Sequence, residues 1–267
     1  MRLYHYTNID TLALILKNKT IRFNRLDNVD DLEEGRSECS GIKIAQYTFV
    51  SCWTENPEGS IPLWRMYTDK GIGIRIGIDK DMFKKYSYHN GENVNGMYME
   101  GDVKTLISPE KLSPSNVLLI PVFNDGVFYR KVQYVNDVSS ELKFAISKGI
   151  NGNYHFELSK FGAFKNVRWA FQQESRFVLN IYPNPHKIPC SDKRLAHWLY
   201  QVIDSNIPNS ISYYDMDLDE EALNAMEIIL CPNMSEGNKI IVESLCNTYL
   251  KSVKPKESLL NGVVNLK

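Results

Sequence analysis

The chain has 267 residues, 43% of them hydrophobic, so it can bury a sizeable core and is not a disordered polymer. Thirty-one Lys and Arg stand against 32 Asp and Glu, a formal net charge of -1. That balance argues against broad binding to a phosphate backbone. Five cysteines (Cys39, Cys52, Cys190, Cys231, Cys246) are odd in number and widely spaced, with no CxxC. They read as buried free thiols of a reducing compartment rather than as disulfides or a zinc site. No signal-like segment opens the chain and no apolar run approaches the ~18 residues of a membrane span. The expected location is the cytoplasm, with no membrane partner.

Arg2 to Tyr6 is short and aromatic and reads as a strand. Thr7 or Asn8 can cap a helix in which Ile9, Leu12, Ile15 and Leu16 share one face. Thr20 to Phe23 returns as an extended piece. Asn24 to Arg36, with Asp27, Asp30, Asp31, Glu33 and Glu34, reads as a solvated surface loop; it lacks the spacing of an EF-hand, and no metal is expected. Gln46 to Trp53 is a buried strand, and Asn56-Pro57-Glu58-Gly59 a turn. Ser60 caps a short helix with Pro62 in its first turn, running to about Tyr67. Gly71 to Ile78 alternates Gly with Ile and Arg, as in a strand whose backbone is closely approached.

Asp79 to Pro114 has no clear pattern. Val117–Val122 and Val127–Tyr134 read as two strands joined at Asn124-Asp125-Gly126. Glu141–Lys148 and Glu157–Phe164 read as helices. Trp169 to Tyr182 is a strong strand with Phe177, Leu179 and Ile181 on one face and Gln172, Glu174 and Arg176 on the other. Lys193–Ile203 is a helix, Glu227–Cys231 a strand and Ser235–Leu250 a helix. Strands and helices mix without strict βαβ alternation, so the expected class is α+β: one domain over residues 1–255, with a central mixed or antiparallel split sheet flanked by helices, and a loose tail over 256–267.

Four groups of residues invite chemistry. In Tyr4-His5-Tyr6-Thr7, strand alternation puts His5 and Thr7 together on one side, facing a ligand or lying at a half-buried sheet edge. Ser51-Cys52-Trp53 precedes Trp64 and Tyr67, which share a helix face; these aromatics suit a cleft or a core. Ser51 lacks a Gly-x-Ser-x-Gly setting, so it is counted as a cleft residue and not a nucleophile. Glu174 and Arg176 share a strand face, either as a carboxylate held ionised for a sugar hydroxyl or as a surface ion pair. Lys160, Lys165 and Arg168 form a basic cluster suited to a diphosphate or to solvent.

The order of blocks resembles a prokaryotic family known as domain of unknown function 2971. The blocks are Tyr4-His5-Tyr6-Thr7, Ile21-Arg22-Phe23, Phe49-Val50-Ser51-Cys52-Trp53, Leu63-Trp64-Arg65-Met66-Tyr67, Lys131-Val132-Gln133-Tyr134, Lys165 with Trp169, Glu174-x-Arg176 and Ile228 to Pro232. Gln172-Gln173-Glu174 stands where the family often has Glu-x-Glu, so no role needing two carboxylates is implied. Asn28-Val29-Asp30-Asp31 replaces its usual Asn-Asp-Pro. More distantly, the layout is similar to the His, Tyr, Glu arrangement of ADP-ribosyltransferases. That resemblance implies an ADP-ribosyltransferase-like fold and NAD as substrate. His5 would hold a ribose, Tyr67 (or Trp64) would stack on nicotinamide, Glu174 would be catalytic and Gln172 would help choose the acceptor. Thr7, Ser51 and Arg176 would complete the nucleotide-binding wall. The expected function is an NAD-dependent ADP-ribosyltransferase or NAD glycohydrolase of a prokaryotic defence or toxin system, with an unknown macromolecular acceptor. The alternative is a nucleotide-binding sensor or interaction module without chemistry.

Overall fold

In the computed structural model, the described residues are 1–69, 71–94, 97–108, 111, 116–149, 153–189 and 192–266. Cys190 and Pro114 lie outside them.

Nine strands form one sheet among the described residues. They are β1 (Arg2–Thr7), β2 (Thr20–Arg25), β3 (Thr48–Thr54), β4 (Ile74–Asp79), β5 (Val117–Leu119), β6 (Tyr129–Lys131), β7 (Glu174–Pro183), β8 (Tyr213–Asp217) and β9 (Glu227–Leu230). The main path runs β6-β7-β3-β1-β4-β9, with β8 on β2, β2 on β3 and β5 on β7. Every pairing in this sheet is antiparallel. With the helices α1 (Ile9–Asn18), α2 (Ile61–Tyr67), α3 (Arg194–Asp204) and α4 (Glu236–Tyr249), the class is α+β. No helix among the described residues is long and apolar enough to cross a membrane.

The sheet parts along one edge of β3. Its other edge pairs with β7 over the whole of Thr48–Thr54. On the parted edge, Thr54 pairs with Tyr4 of β1, while Val50 and Phe49 pair with Asn24 and Arg25 of β2. Helix α1 connects these two diverging strands. It buries Ile9, Leu12, Ile15 and Leu16, the residues its periodicity marks, and Asn8 caps it by accepting from the Thr11 amide at 2.8 Å.

Two glycines let β4 pack. A Cβ on Gly73 would lie 2.5 Å from the Thr7 carbonyl oxygen, and one on Gly77 would lie 2.9 Å from the Tyr4 ring. The faces of β7 divide as its alternation indicates: Phe177, Leu179 and Ile181 join the main core with Leu3, Phe23, Phe49 and Trp53.

Several expectations need correction. Asn24 to Arg36 is not a solvated loop: β2 runs on to Arg25, Leu32–Gly35 is a helical turn, and Asp31 and Glu34 are buried. Val117–Leu119 and Tyr129–Lys131 pair with different stretches of β7 and form no hairpin, although Gly126 does make a turn. All ten residues of β7 are buried, so its backbone groups need partners along its length. Residues 157–164 hold a short 3-10 turn and lead into the strand Phe164–Asn166, which pairs in parallel with Gln133–Val135. Glu141–Lys148 is split between the helix Val138–Leu142 and the strand Ile146–Lys148. The strand expected from Trp169 begins only at Glu174, after the 3-10 helix Val167–Gln172 and Gln173 at φ 46°. The final residues are not loose: Lys256 exchanges backbone hydrogen bonds with Ile228 and Leu230, and Leu266 is buried.

Candidate functional site

A cavity of about 410 Å³ lies at the parting of the sheet. His5 and Thr7 of β1, Ser51 and Cys52 of β3, Tyr67 of α2, and Glu174 and Arg176 of β7 all line it. So does Lys165, from the strand before β7. A smaller recess of about 70 Å³ shares His5, Tyr6, Cys52, Tyr67 and Glu174 with it and adds Tyr4, Trp53, Leu63 and Gln172. The parting of β1 from β2 is therefore what brings residues 5, 67 and 174 to one place.

His5 bridges the parting. Its Nδ1 lies 2.8 Å from the Cys52 carbonyl oxygen. That oxygen only accepts, so Nδ1 carries the proton and Nε2 keeps its lone pair in the neutral ring. Burial pushes the imidazole below its ordinary value, against the smaller opposing effect of that carbonyl. His5 thus serves the sheet edge, satisfying a carbonyl where the ladder parts, and still presents an acceptor.

Glu174 is buried among charges. Arg176 Nε donates to one carboxylate oxygen at 2.5 Å and Lys165 Nζ to the other at 3.2 Å. Burial alone would raise its pKa; the guanidinium and ammonium outweigh this and hold it at about 2. Arg176, itself fully buried, also grips both oxygens of Glu34 and donates to the Gly162 carbonyl. The surface ion pair is excluded. Cys52 faces this group from β3, and burial together with the Glu174 charge pushes its thiol well above the ordinary value. It is a thiol and not a thiolate.

A second polar chain leaves Lys165. Its Nζ donates to Gln172 Oε1 at 2.8 Å; Gln172 Nε2 donates to the Tyr67 hydroxyl at 2.8 Å; Tyr67 donates to Asp30 Oδ2 at 2.9 Å. The left-handed turn at Gln173 aims Gln172 at Tyr67 even though the two belong to different elements. Both polar ends of Gln172 are therefore engaged by this chain.

Trp64 is placed elsewhere. It is fully buried in the core, edge-on to Tyr6 with ring centroids 4.9 Å apart, and lines neither the cavity nor the recess. Ser51 lines the cavity and accepts from Trp53 Nε1 at 2.9 Å. Of the basic cluster, Lys165 is buried in the site, whereas Lys160 pairs with Glu157 at 3.0 Å and Arg168 is exposed. At the far end of the cavity, Arg22 pairs with Asp215 and stacks on Tyr213. Sequence reasoning missed Glu34 and Asp30 as members of the site, and singled out Cys52 only as part of the block Ser51-Cys52-Trp53. The one available signal was the excess of acid in residues 27–34, which a buried Arg176 needs for neutralisation.

Searches of curated proteins and of solved structures gave no match to the chain. Residues 63–177 match the model of a family described as protein of unknown function (DUF2971). This stretch carries Tyr67, Lys165, Gln172, Glu174 and Arg176, and its match supports the resemblance to the DUF2971 family.

Proposed function

We propose that the chain binds NAD in the parted-sheet cavity and breaks the bond between nicotinamide and its ribose, passing ADP-ribose to water or to a macromolecular acceptor. The observation that carries this reading is the convergence of His5, Tyr67 and Glu174, from three distant segments, on one cavity. In the reaction the C1′–N bond breaks and its electron pair leaves with nicotinamide. The acceptor's nucleophilic atom forms the new bond to C1′ and releases its proton to solvent.

Positive charge develops on the ribose as nicotinamide departs. A carboxylate with a pKa of about 2 is ionised throughout the working range but is a weak base. The role of Glu174 is therefore electrostatic: it accepts a ribose hydroxyl and stabilises charge where it develops. His5 Nε2 offers a second acceptor for the sugar. Tyr67, held by Gln172 and Asp30, offers a fixed ring for stacking.

One observation favours a second reading, a nucleotide-binding module without turnover. Both Glu174 oxygens already receive a cationic donor, which reduces the negative potential available to a transition state. Release of nicotinamide from NAD, followed by chromatography, separates the two. The enzyme reading expects turnover that falls by ~10²–10³ in Glu174→Gln. NAD bound without product supports the module. Absence of NAD binding overturns both.

A further inference from the structure

A second cleft, of about 700 Å³, lies on the opposite face of the sheet from the candidate site. The alternation of β7 places it there: Phe177 lines this cleft, whereas Glu174 and Arg176 line the first cavity. No residue lines both. Its size is that of pockets that take small organic ligands. The floor is aromatic. Phe83, Phe123, Phe128, Tyr129 and Phe177 line it, and all but Phe123 are buried. These rings meet edge-on, with Phe83 4.9 Å from Phe177 and Phe123 5.2 Å from Phe128. A further ring laid against them continues the same packing and leaves water.

The rim is cationic. Lys85 and Lys104 line it and are exposed. They come from two paired segments, Lys104 within the strand Val103–Thr105 and Lys85 just before its partner Tyr86–Tyr88. Lys80 also lines the cleft but is engaged by Asp125 at 2.7 Å. Lys85 and Lys104 have no ion pair among the described residues, and neither has Asp81, the one acid on the lining besides Asp125. The uncompensated charges are thus two positive and one negative, a setting that favours an anion. Buried against phenylalanine, an anionic head would lose its hydration, so it belongs at the rim and an apolar body on the floor.

We propose that this cleft binds a small aromatic anion, its ring on the phenylalanine floor and its carboxylate or phosphate head between Lys85 and Lys104. The site shares no residue with the NAD cavity and does not rest on that reading.

The test is calorimetric titration of the full chain with 2-naphthoate, which is anionic at neutral pH, and 2-naphthamide, its neutral counterpart. The anion is expected to bind roughly tenfold more tightly, as two exposed ion pairs allow. The double change Lys85→Gln with Lys104→Gln should remove most of that preference. Asp81→Asn should raise affinity for the anion by about twofold, a gain that unfolding cannot produce. A parallel titration with 2-naphthyl phosphate distinguishes the two heads: tighter binding than 2-naphthoate assigns a phosphate, weaker binding a carboxylate. Equal affinities for 2-naphthoate and 2-naphthamide, a preference that survives the double lysine change, or binding of neither at millimolar concentration overturns the proposal. Loss of the preference in Arg22→Gln alone would place the anion in the first cavity and overturn it as well.

Discussion

The guanidinium of Arg176 closes on the carboxylate of Glu34 across 142 residues of chain, and each side chain is 1% exposed. The contact ties the helical turn at Leu32–Gly35 to the central strand β7. Through the same guanidinium it also governs Glu174.

Removing one member of such a pair leaves the other buried and unmatched. Glu34→Ala should destabilise the protein by about 3–5 kcal/mol. The urea midpoint reads this directly, and a loss below about 1 kcal/mol would show that water or another group replaces the carboxylate. Glu34→Gln, which keeps the shape, isolates the contribution of charge.

Acid should weaken the fold in two steps. The pKa of His5 is depressed below its ordinary 6.5, so its contribution to stability is present above pH 6.5 and is lost as pH falls toward the folded value. That of Glu174 is depressed from 4.5 to about 2, so its contribution is present above 4.5 and is lost between 4.5 and about 2. Unfolding free energy measured from pH 7.5 to 5.0 should fall in the wild type. The fall should be smaller in His5→Phe, and an identical slope in the two would rule out His5 as the titrating group.

Tyr67→Phe removes a hydroxyl that accepts from Gln172 and donates to Asp30. The expected cost is about 0.5–1.5 kcal/mol, modest because Tyr67 is partly exposed. Thermal unfolding measures it. A larger loss would mean that the chain from Asp30 to Lys165 acts cooperatively.

Gly73→Ala places a methyl group against the Thr7 carbonyl and the Thr68 side chain. Backbone cannot yield as a flexible side chain does, so a loss of about 1–3 kcal/mol is expected. Because Thr7 lines the cavity, NAD titration of the folded variant should also show weakened binding.

Periodicity and capping made much of the framework legible. The apolar spacing of Ile9, Leu12, Ile15 and Leu16, Asn8 and Ser60 as caps, and the alternation of Phe177, Leu179 and Ile181 are local signals, and the structure agrees with each. Burial of charge was not legible. Glu34 and Arg176 have the composition of surface residues, and only a partner brought from 142 residues away makes their burial tolerable. The expected hairpin at Asn124-Asp125-Gly126 failed for a related reason: turn chemistry reports the turn and not which strand the flanking segments will pair with.

By itself, then, the sequence determined the α+β class, the main helices and strands, and that His5, Tyr67 and Glu174 were residues to watch. Tertiary structure alone decided that β1 and β2 part along β3, so that these three side chains meet at one cavity while Trp64 goes to the core. It also decided that Glu174 is clamped between Arg176 and Lys165. The physical reason is range: hydrophobic period and caps act over a few residues, whereas strand pairing and charge neutralisation are settled by segments distant in the chain.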